Sequence, residues 1–204
     1  MFKEKLNKKL NAALLASGIE EPKELQLKCL PKINSGADVI AVGPAGVGKT
    51  TMAVISALHK IPYAFETPPR ALILVASKEK GLAMQEQFKL YAKDTDLRVL
   101  SIFEEGKMEV QAGDIYEGTD ILIGTAKRIM DIYFKQTLNL NKIKLFIIDD
   151  AEEMIKNQWQ GQIDRLALSL PKCQHLIFTN EFSEKVEKLI SKFIIAPHIV
   201  EVDS

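Results

Sequence analysis

Cysteine is scarce in this chain. Cys29 and Cys173 lie far apart with no CxxC spacing, a pattern that argues against a disulfide-stapled fold and leaves reduced, structural thiols with no disulfide partner. The three histidines, His59, His175 and His198, show no ligand spacing with one another or with a cysteine, so no zinc site is expected. Net charge is lacking too. With 27 basic against 27 acidic residues, no overall field attracts nucleic acid or anionic lipid, and any nucleic-acid role must come from a local patch. The opening Met1-Phe2-Lys3-Glu4 begins no apolar leader, and no later run nears membrane-spanning length. The expectation is a cytoplasmic protein without a membrane partner. Repeats, low-complexity tracts and Gly/Ser linkers are also missing, which favours one domain over residues 1–204.

What is present is an ordinary globular composition. With 47% apolar and 26% charged residues over 204 positions, the chain can bury a sizeable core. Residues 3–17 place Leu6, Leu10 and Leu14 at four-residue spacing with lysines between, an amphipathic helix ended by Gly18. Short apolar runs follow at Val39–Val42, Ala71–Val75, Arg98–Ile102, Ile121–Ile123, Leu145–Ile148, His175–Phe178 and Ile199–Val202. Most are continuously hydrophobic, as strands buried on both faces are. Helix-period stretches lie between them, at 79–92, 126–135, 159–169 and 183–194. Strand alternating with helix predicts an α/β fold, a three-layer sandwich with a mostly parallel sheet and helices on both faces. Ligands in such folds bind at the carboxyl ends of the strands.

The sharpest motif sits at one such end. After "DVIAV" comes "GPAGVGKT", in which Gly43, Pro44, Ala45, Gly46, Val47, Gly48, Lys49 and Thr50 fill G-x-x-x-x-G-K-[ST], with Thr51 next. Glycines let backbone N–H groups turn inward around an anion at a helix N-terminus. Lys49 can reach the β- and γ-phosphates, and the Thr50 hydroxyl can ligate Mg²⁺. A metal site of this kind needs an acid ending a neighbouring buried strand. "LFIID", about a hundred residues on, supplies Asp149. Asp150 beside it either orients and deprotonates an attacking water or is a solvated strand-end acid.

A P-loop alone suits several NTPase classes, AAA+ proteins included, and the surrounding text narrows them. Residues 18–50 resemble the Q-motif and first motif of DEAD-box RNA helicases, with Gly18, Ile19, Pro22, Gln26, Pro31, Gly36 and Asp38 at the pattern positions. Ala76 to Gly81 stands where that family has P-T-R-E-L-A, and Thr125-Ala126-Lys127-Arg128 where it has T-P-G-R. Asp149-Asp150-Ala151-Glu152 stands for D-E-A-D, and Thr179-Asn180-Glu181 for S-A-T. The order holds along essentially the whole chain and corresponds to the first of two RecA-like domains. The resemblance implies a Q-motif region over 1–31, a P-loop over 43–50 and an acidic motif over 149–152. It implies Mg²⁺-ATP as ligand, with Gln26 reading adenine through a carboxamide that offers one donor and one acceptor. Phe2 stands about where the family packs an aromatic on the base, and as a near-terminal residue it could equally fray. Ser77, Lys78, Thr125, Lys127 and Arg128 are the implied contacts to an RNA backbone. By charge alone Lys78 and Arg128 read equally well as solvated.

Departures from the pattern bear on activity. Asp150 replaces a glutamate and sets its carboxylate back by about 1.5 Å, one carbon–carbon bond. Misplacement of that size can cost about a hundredfold in rate. Glu152, Thr179 and Glu181 replace the residues that couple hydrolysis to strand separation, and two carboxylates meeting there would repel or share a proton. Trp159 reads as core packing. The resulting expectation is the ATP-binding domain of a DEAD-box-like RNA helicase with weak or partner-dependent hydrolysis, Lys49, Asp149 and Asp150 carrying the chemistry. A second RecA-like domain, in cis or trans, would supply the missing arginine. The alternative is a catalytically impaired nucleotide- or RNA-binding module that regulates or scaffolds another protein.

Overall fold

In the computed structural model, which describes residues 6–203, each apolar run forms a strand. In chain order these are β1 (Val39–Val42), β2 (Ala71–Leu74), β3 (Val99–Ile102), β4 (Ile121–Gly124), β5 (Leu145–Asp149), β6 (Gln174–Thr179) and β7 (His198–Glu201). They pair in the order β3-β4-β2-β5-β6-β1-β7, and every ladder is parallel. The sheet is therefore wholly rather than mostly parallel. Helices α1 (Lys8–Ala16), α2 (Glu24–Asn34), α3 (Lys49–Lys60) and α4 (Lys78–Tyr91) cover one face. Helices α5 (Met108–Tyr116), α6 (Ala126–Phe134), α7 (Ala151–Lys156), α8 (Gln160–Ser169) and α9 (Glu184–Ile190) cover the other.

Side-chain parity decides what each strand end can do. Successive strand residues point to opposite faces, so Val39 and Ala41 join the core under α1–α4, and Ile40 and Val42 the core under α5–α9. In β5, Leu145 and Ile147 face the first core, Phe146 and Ile148 the second. Asp149 follows on the side of Leu145 and Ile147, towards α3. In β6, Leu176 and Phe178 face α3 and Ile177 faces away, so Thr179 turns towards α7. Two polar residues ending adjacent strands are thus sent to opposite sides of the sheet.

Helix ends follow local chemistry. Helix α1 is described from Lys8, where the Asn7 side chain caps it by accepting from the Leu10 amide at 2.8 Å; positions 3–5 of the 3–17 pattern lie outside the described residues. Gly18, at φ 79°, lets the Ile19 amide return to the Leu14 carbonyl at 2.9 Å and ends the helix. Helix α2 runs through Pro31, with Leu25, Cys29, Leu30 and Ile33 buried on one side. Asp38 accepts from the His175 amide at 2.7 Å and lies 3.2 Å from its Nδ1, tying the start of β6 to the lead-in of β1. Trp159 is partly buried against the α5–α9 core.

Candidate nucleotide site

The loop 43–48 leaves β1 and enters α3 with Gly46 at φ 91° and Gly48 at φ 94°, conformations that side chains resist. A Cβ on Gly43 would lie 2.8 Å from Val202 Cγ2, and one on Gly48 would lie 2.6 Å from Gln26 Nε2. Gly43 is therefore required by space, and Gly48 by its left-handed backbone. Lys49, almost wholly buried, directs its ammonium back into the loop, onto the carbonyls of Gly43 (2.5 Å) and Pro44 (2.8 Å) and onto Asn180 Oδ1 (2.7 Å). Burial draws this ammonium below its usual pKa, against the pull of Asp150, Glu152 and Asp149. Gln26, also buried, accepts from the Lys23 amide at 3.0 Å and donates to the Gly48 carbonyl at 3.3 Å. It ties α2 to the loop. A cleft of about 800 Å³ opens here, lined by Gly18 to Glu21, Lys23, Gln26, the loop, Thr50, Thr51, Lys80, Asp150 and Asn180.

Beside the loop, parity delivers Asp149 to α3, where Thr50 Oγ1 donates to its Oδ2 at 2.8 Å. Its Oδ1 is buried without a hydrogen-bond partner. Burial, and then the charge of Asp150, push the Asp149 carboxyl up to about 7, against the Thr50 hydrogen bond and the charges of Lys80 and Lys49. A carboxylate oxygen without a partner, next to a helix-start hydroxyl, suits a hydrated Mg²⁺. Among the described residues no three His, Cys, Asp or Glu are grouped to hold a metal, so such an ion would take most of its ligands from phosphate and water. The residues present fit Mg²⁺ on those terms. Asp150 has left-handed backbone (φ 62°, ψ 58°) at the start of α7, which aspartate tolerates better than most residues. Its Oδ2 meets Lys80 Nζ at 2.5 Å.

On the far side of the sheet, the Thr179 hydroxyl lies 2.7 Å from Glu152 Oε2 and 2.9 Å from the Glu181 carbonyl. Glu152 is buried, and Glu181 is exposed and reaches Thr179 through its main chain. The expected carboxylate pair on that hydroxyl is replaced by one carboxylate and one carbonyl. The residues put forward for RNA divide in two. Lys78 and Lys127 are half-buried and exposed, respectively. Ser77 caps α4, accepting from the Lys80 amide at 3.4 Å, and Thr125 caps α6, accepting from the Arg128 amide at 3.3 Å. Thr125 also donates to Glu104 Oε2 at 2.7 Å. Arg128 is buried, with its guanidinium on the carbonyls of Glu104 and Gly106, so it braces the loop after β3. Phe2 lies outside the described residues.

Sequence reasoning overlooked the side chains of Lys23, Lys80 and Asn180, which line the cleft together with Glu20 and Glu21. Lys23 Nζ reaches the Gly46 carbonyl at 2.5 Å. The available signal for Lys80 and Asn180 was polarity, since each stands where the motif has an apolar residue.

A strand-to-helix glycine loop over a parallel sheet, with an acid on the neighbouring strand end, defines an α/β domain of the P-loop NTPase kind. The chain belongs to the DEAD/DEAH box helicase family, whose family model matches residues 23–189. It is 29% identical over 182 residues to the ATP-dependent RNA helicase DeaD of Mycobacterium tuberculosis, covering 88% of this chain and 32% of that protein. It is 28% identical over 188 residues to the pre-mRNA-processing ATP-dependent RNA helicase PRP5 of Meyerozyma guilliermondii, covering 88% and 22%. The chain thus spans about a third or less of the length of these relatives. Its fold is shared by a DEAD box protein from Methanococcus jannaschii, with a TM-score of 0.89 at 22% identity over 95% of this chain and 53% of that one.

Proposed function

We propose that this chain is the ATP-binding domain of a DEAD-box-like RNA helicase. One observation carries the proposal: the buried Asp149 carboxylate is fixed to Thr50 through one oxygen and keeps the other unpaired, at the mouth of a P-loop. The amides at the start of α3 and the Lys49 ammonium are suited to holding phosphate, and Thr50 with Asp149 to holding Mg²⁺. Bound Mg²⁺ would neutralise charge on the phosphates. Gln26, already engaged with Lys23 and Gly48, lines the cleft where a base would lie. Ser77, Lys78, Thr125, Lys127 and Arg128 edge the same end of the sheet and are proposed to meet RNA, the substrate class in the relatives' names. Of these, Lys127 is exposed and best placed to reach a phosphate backbone. Asp150 orients the attacking water once its oxygens are free.

Hydrolysis by this domain is proposed to be weak or dependent on a second RecA-like domain. Asp150 is one methylene short, and one of its oxygens is occupied by Lys80. That occupied oxygen is also the specific support for a second reading, a regulatory module that binds nucleotide without turning it over. Phosphate release measured with and without RNA, and with and without a helicase second domain, decides between them. RNA-stimulated turnover in the combined assay is expected. Its absence there would leave only the regulatory reading.

A further inference from the structure

The acid end of the cleft holds a lysine with no assigned task. Among the described residues three ammonium groups face this cleft, and each is parked on an oxygen of the protein. Lys23 sits on the Gly46 carbonyl, and Lys49 on two loop carbonyls and Asn180. Lys80 sits on Asp150 Oδ2 at 2.5 Å. The first two stand at the loop. Lys80 reaches in from the first turn of α4, near enough for its charge to act on Lys49. It lands on the residue next to Asp149, which holds Thr50. A ligand whose inner phosphate fills the loop meets Lys23 and Lys49 whatever its length. On the nucleotide reading, a phosphate further out, beyond Thr50 and Asp149, is the one that would come up to Asp150 and Lys80.

Exchange of partners is cheap there. The Lys80 side chain is 47% exposed in its ion pair and that of Asp150 14%, so the lysine end of the pair is free to turn in water and only the carboxylate end is held in the wall of the cleft. A lysine is a compact charge on a flexible stem, and a terminal phosphate carries more charge than one carboxylate, so the ammonium gains by moving to it. The main chain of Asp150 is set by its place at the start of α7, independently of the lysine.

We propose that Lys80 is a second phosphate-binding cation of this site, which leaves Asp150 for the terminal phosphate of a nucleoside triphosphate and so distinguishes triphosphate from diphosphate. The move unmasks Asp150 only when a triphosphate is present. The inference rests on the nucleotide reading given above.

The test is calorimetric titration of the full chain with Mg²⁺-ADP and with a non-hydrolysable β,γ-imido ATP. The natural protein is compared with Lys80→Met, Lys80→Arg and Lys49→Ala. Loss of one charged hydrogen bond predicts triphosphate binding weaker by about tenfold in Lys80→Met. Diphosphate binding is expected to stay unchanged in that variant, and Lys80→Arg to retain the preference. Equal loss for both nucleotides, no loss for either, or tighter triphosphate binding by Lys80→Met would overturn the role of Lys80. If Lys49→Ala still weakens both ligands in that case, the nucleotide reading survives. If the natural chain binds neither nucleotide, both fall together.

Discussion

Replacing Asp149 by asparagine should stabilise the metal-free chain at neutral and alkaline pH. The carboxyl moves from an ordinary 3.8 to about 7 because it is buried beside Asp150. Between those values the folded chain holds a proton that the unfolded chain has released. Its contribution is therefore fully present below the unfolded pKa and is lost as pH rises towards 7. At about 1.4 kcal/mol per tenfold change in proton affinity, charging this carboxyl in place costs about 4 kcal/mol in all. Asparagine removes that cost and can still accept from Thr50. It leaves a buried N–H unpaired, at about 1–3 kcal/mol. The balance is a gain of about 1–3 kcal/mol at pH 8 that vanishes or reverses at pH 5, where the natural carboxyl is protonated. Urea unfolding of both chains from pH 5 to 8 without divalent cations measures it. A stability difference that stays flat with pH, or a natural chain that gains on the variant as pH rises, would refute the reasoning.

Three further substitutions test separate parts of the structure. Gly48→Ala places a Cβ 2.6 Å from Gln26 Nε2 at a φ of 94°. Strain of about 1–2 kcal/mol is expected, with a fall in ATP affinity that equilibrium binding would register. Gly81→Ala drives a methyl to 2.4 Å from Phe103 Cζ, and overpacking of this kind costs about 1–3 kcal/mol, visible as a thermal midpoint several degrees lower. Asp120→Asn breaks a fully buried carboxylate away from Arg70 (2.8 Å) and Arg98 (2.9 Å), at about 3–5 kcal/mol. Burial opposes the charge of Asp120, yet hydrogen bonds from Arg98, Phe65 and Arg70 hold its carboxyl below 3.8. The natural chain's advantage in urea unfolding should accordingly be full at neutral pH and shrink as pH falls below about 4.

Strand content was legible in the chain because the central strands, buried on both faces, are written as apolar runs, and all seven described strands, the half-buried β3 and the mostly exposed β7 included, lie within a residue or so of such runs. Helices were harder where packing overrides local signals. Helix α2 continues through Pro31 because Leu25, Cys29, Leu30 and Ile33 bury one face of it, whereas proline read locally predicts a break. Helix α5 buries only Ile115 and so leaves almost no periodic pattern. At the site, the glycine loop and its lysine are contiguous in sequence and could be read directly. The direction of Asp149 towards α3 and of Thr179 towards α7 follows from strand parity once the sheet is known. Lys80 meeting Asp150 and Asn180 meeting Lys49 join residues 70 and 131 positions apart, and no local spacing encodes such pairs. Arg128 shows the converse: its position in a motif suggested an outward phosphate contact, while its burial ties it to loop carbonyls.

The central claim is that the cleft between the loop 43–48, Gln26 and Asp149 is a Mg²⁺-ATP site. Equilibrium titration with a fluorescent ATP in the presence of Mg²⁺, with GTP as competitor, tests it directly on the natural chain, Lys49→Ala and Gln26→Ala. Saturable binding by the natural chain, lost in Lys49→Ala, is expected. So is a preference for ATP over GTP that disappears in Gln26→Ala. Binding by Lys49→Ala as tight as by the natural chain, or no saturable binding by the natural chain at all, would contradict the claim.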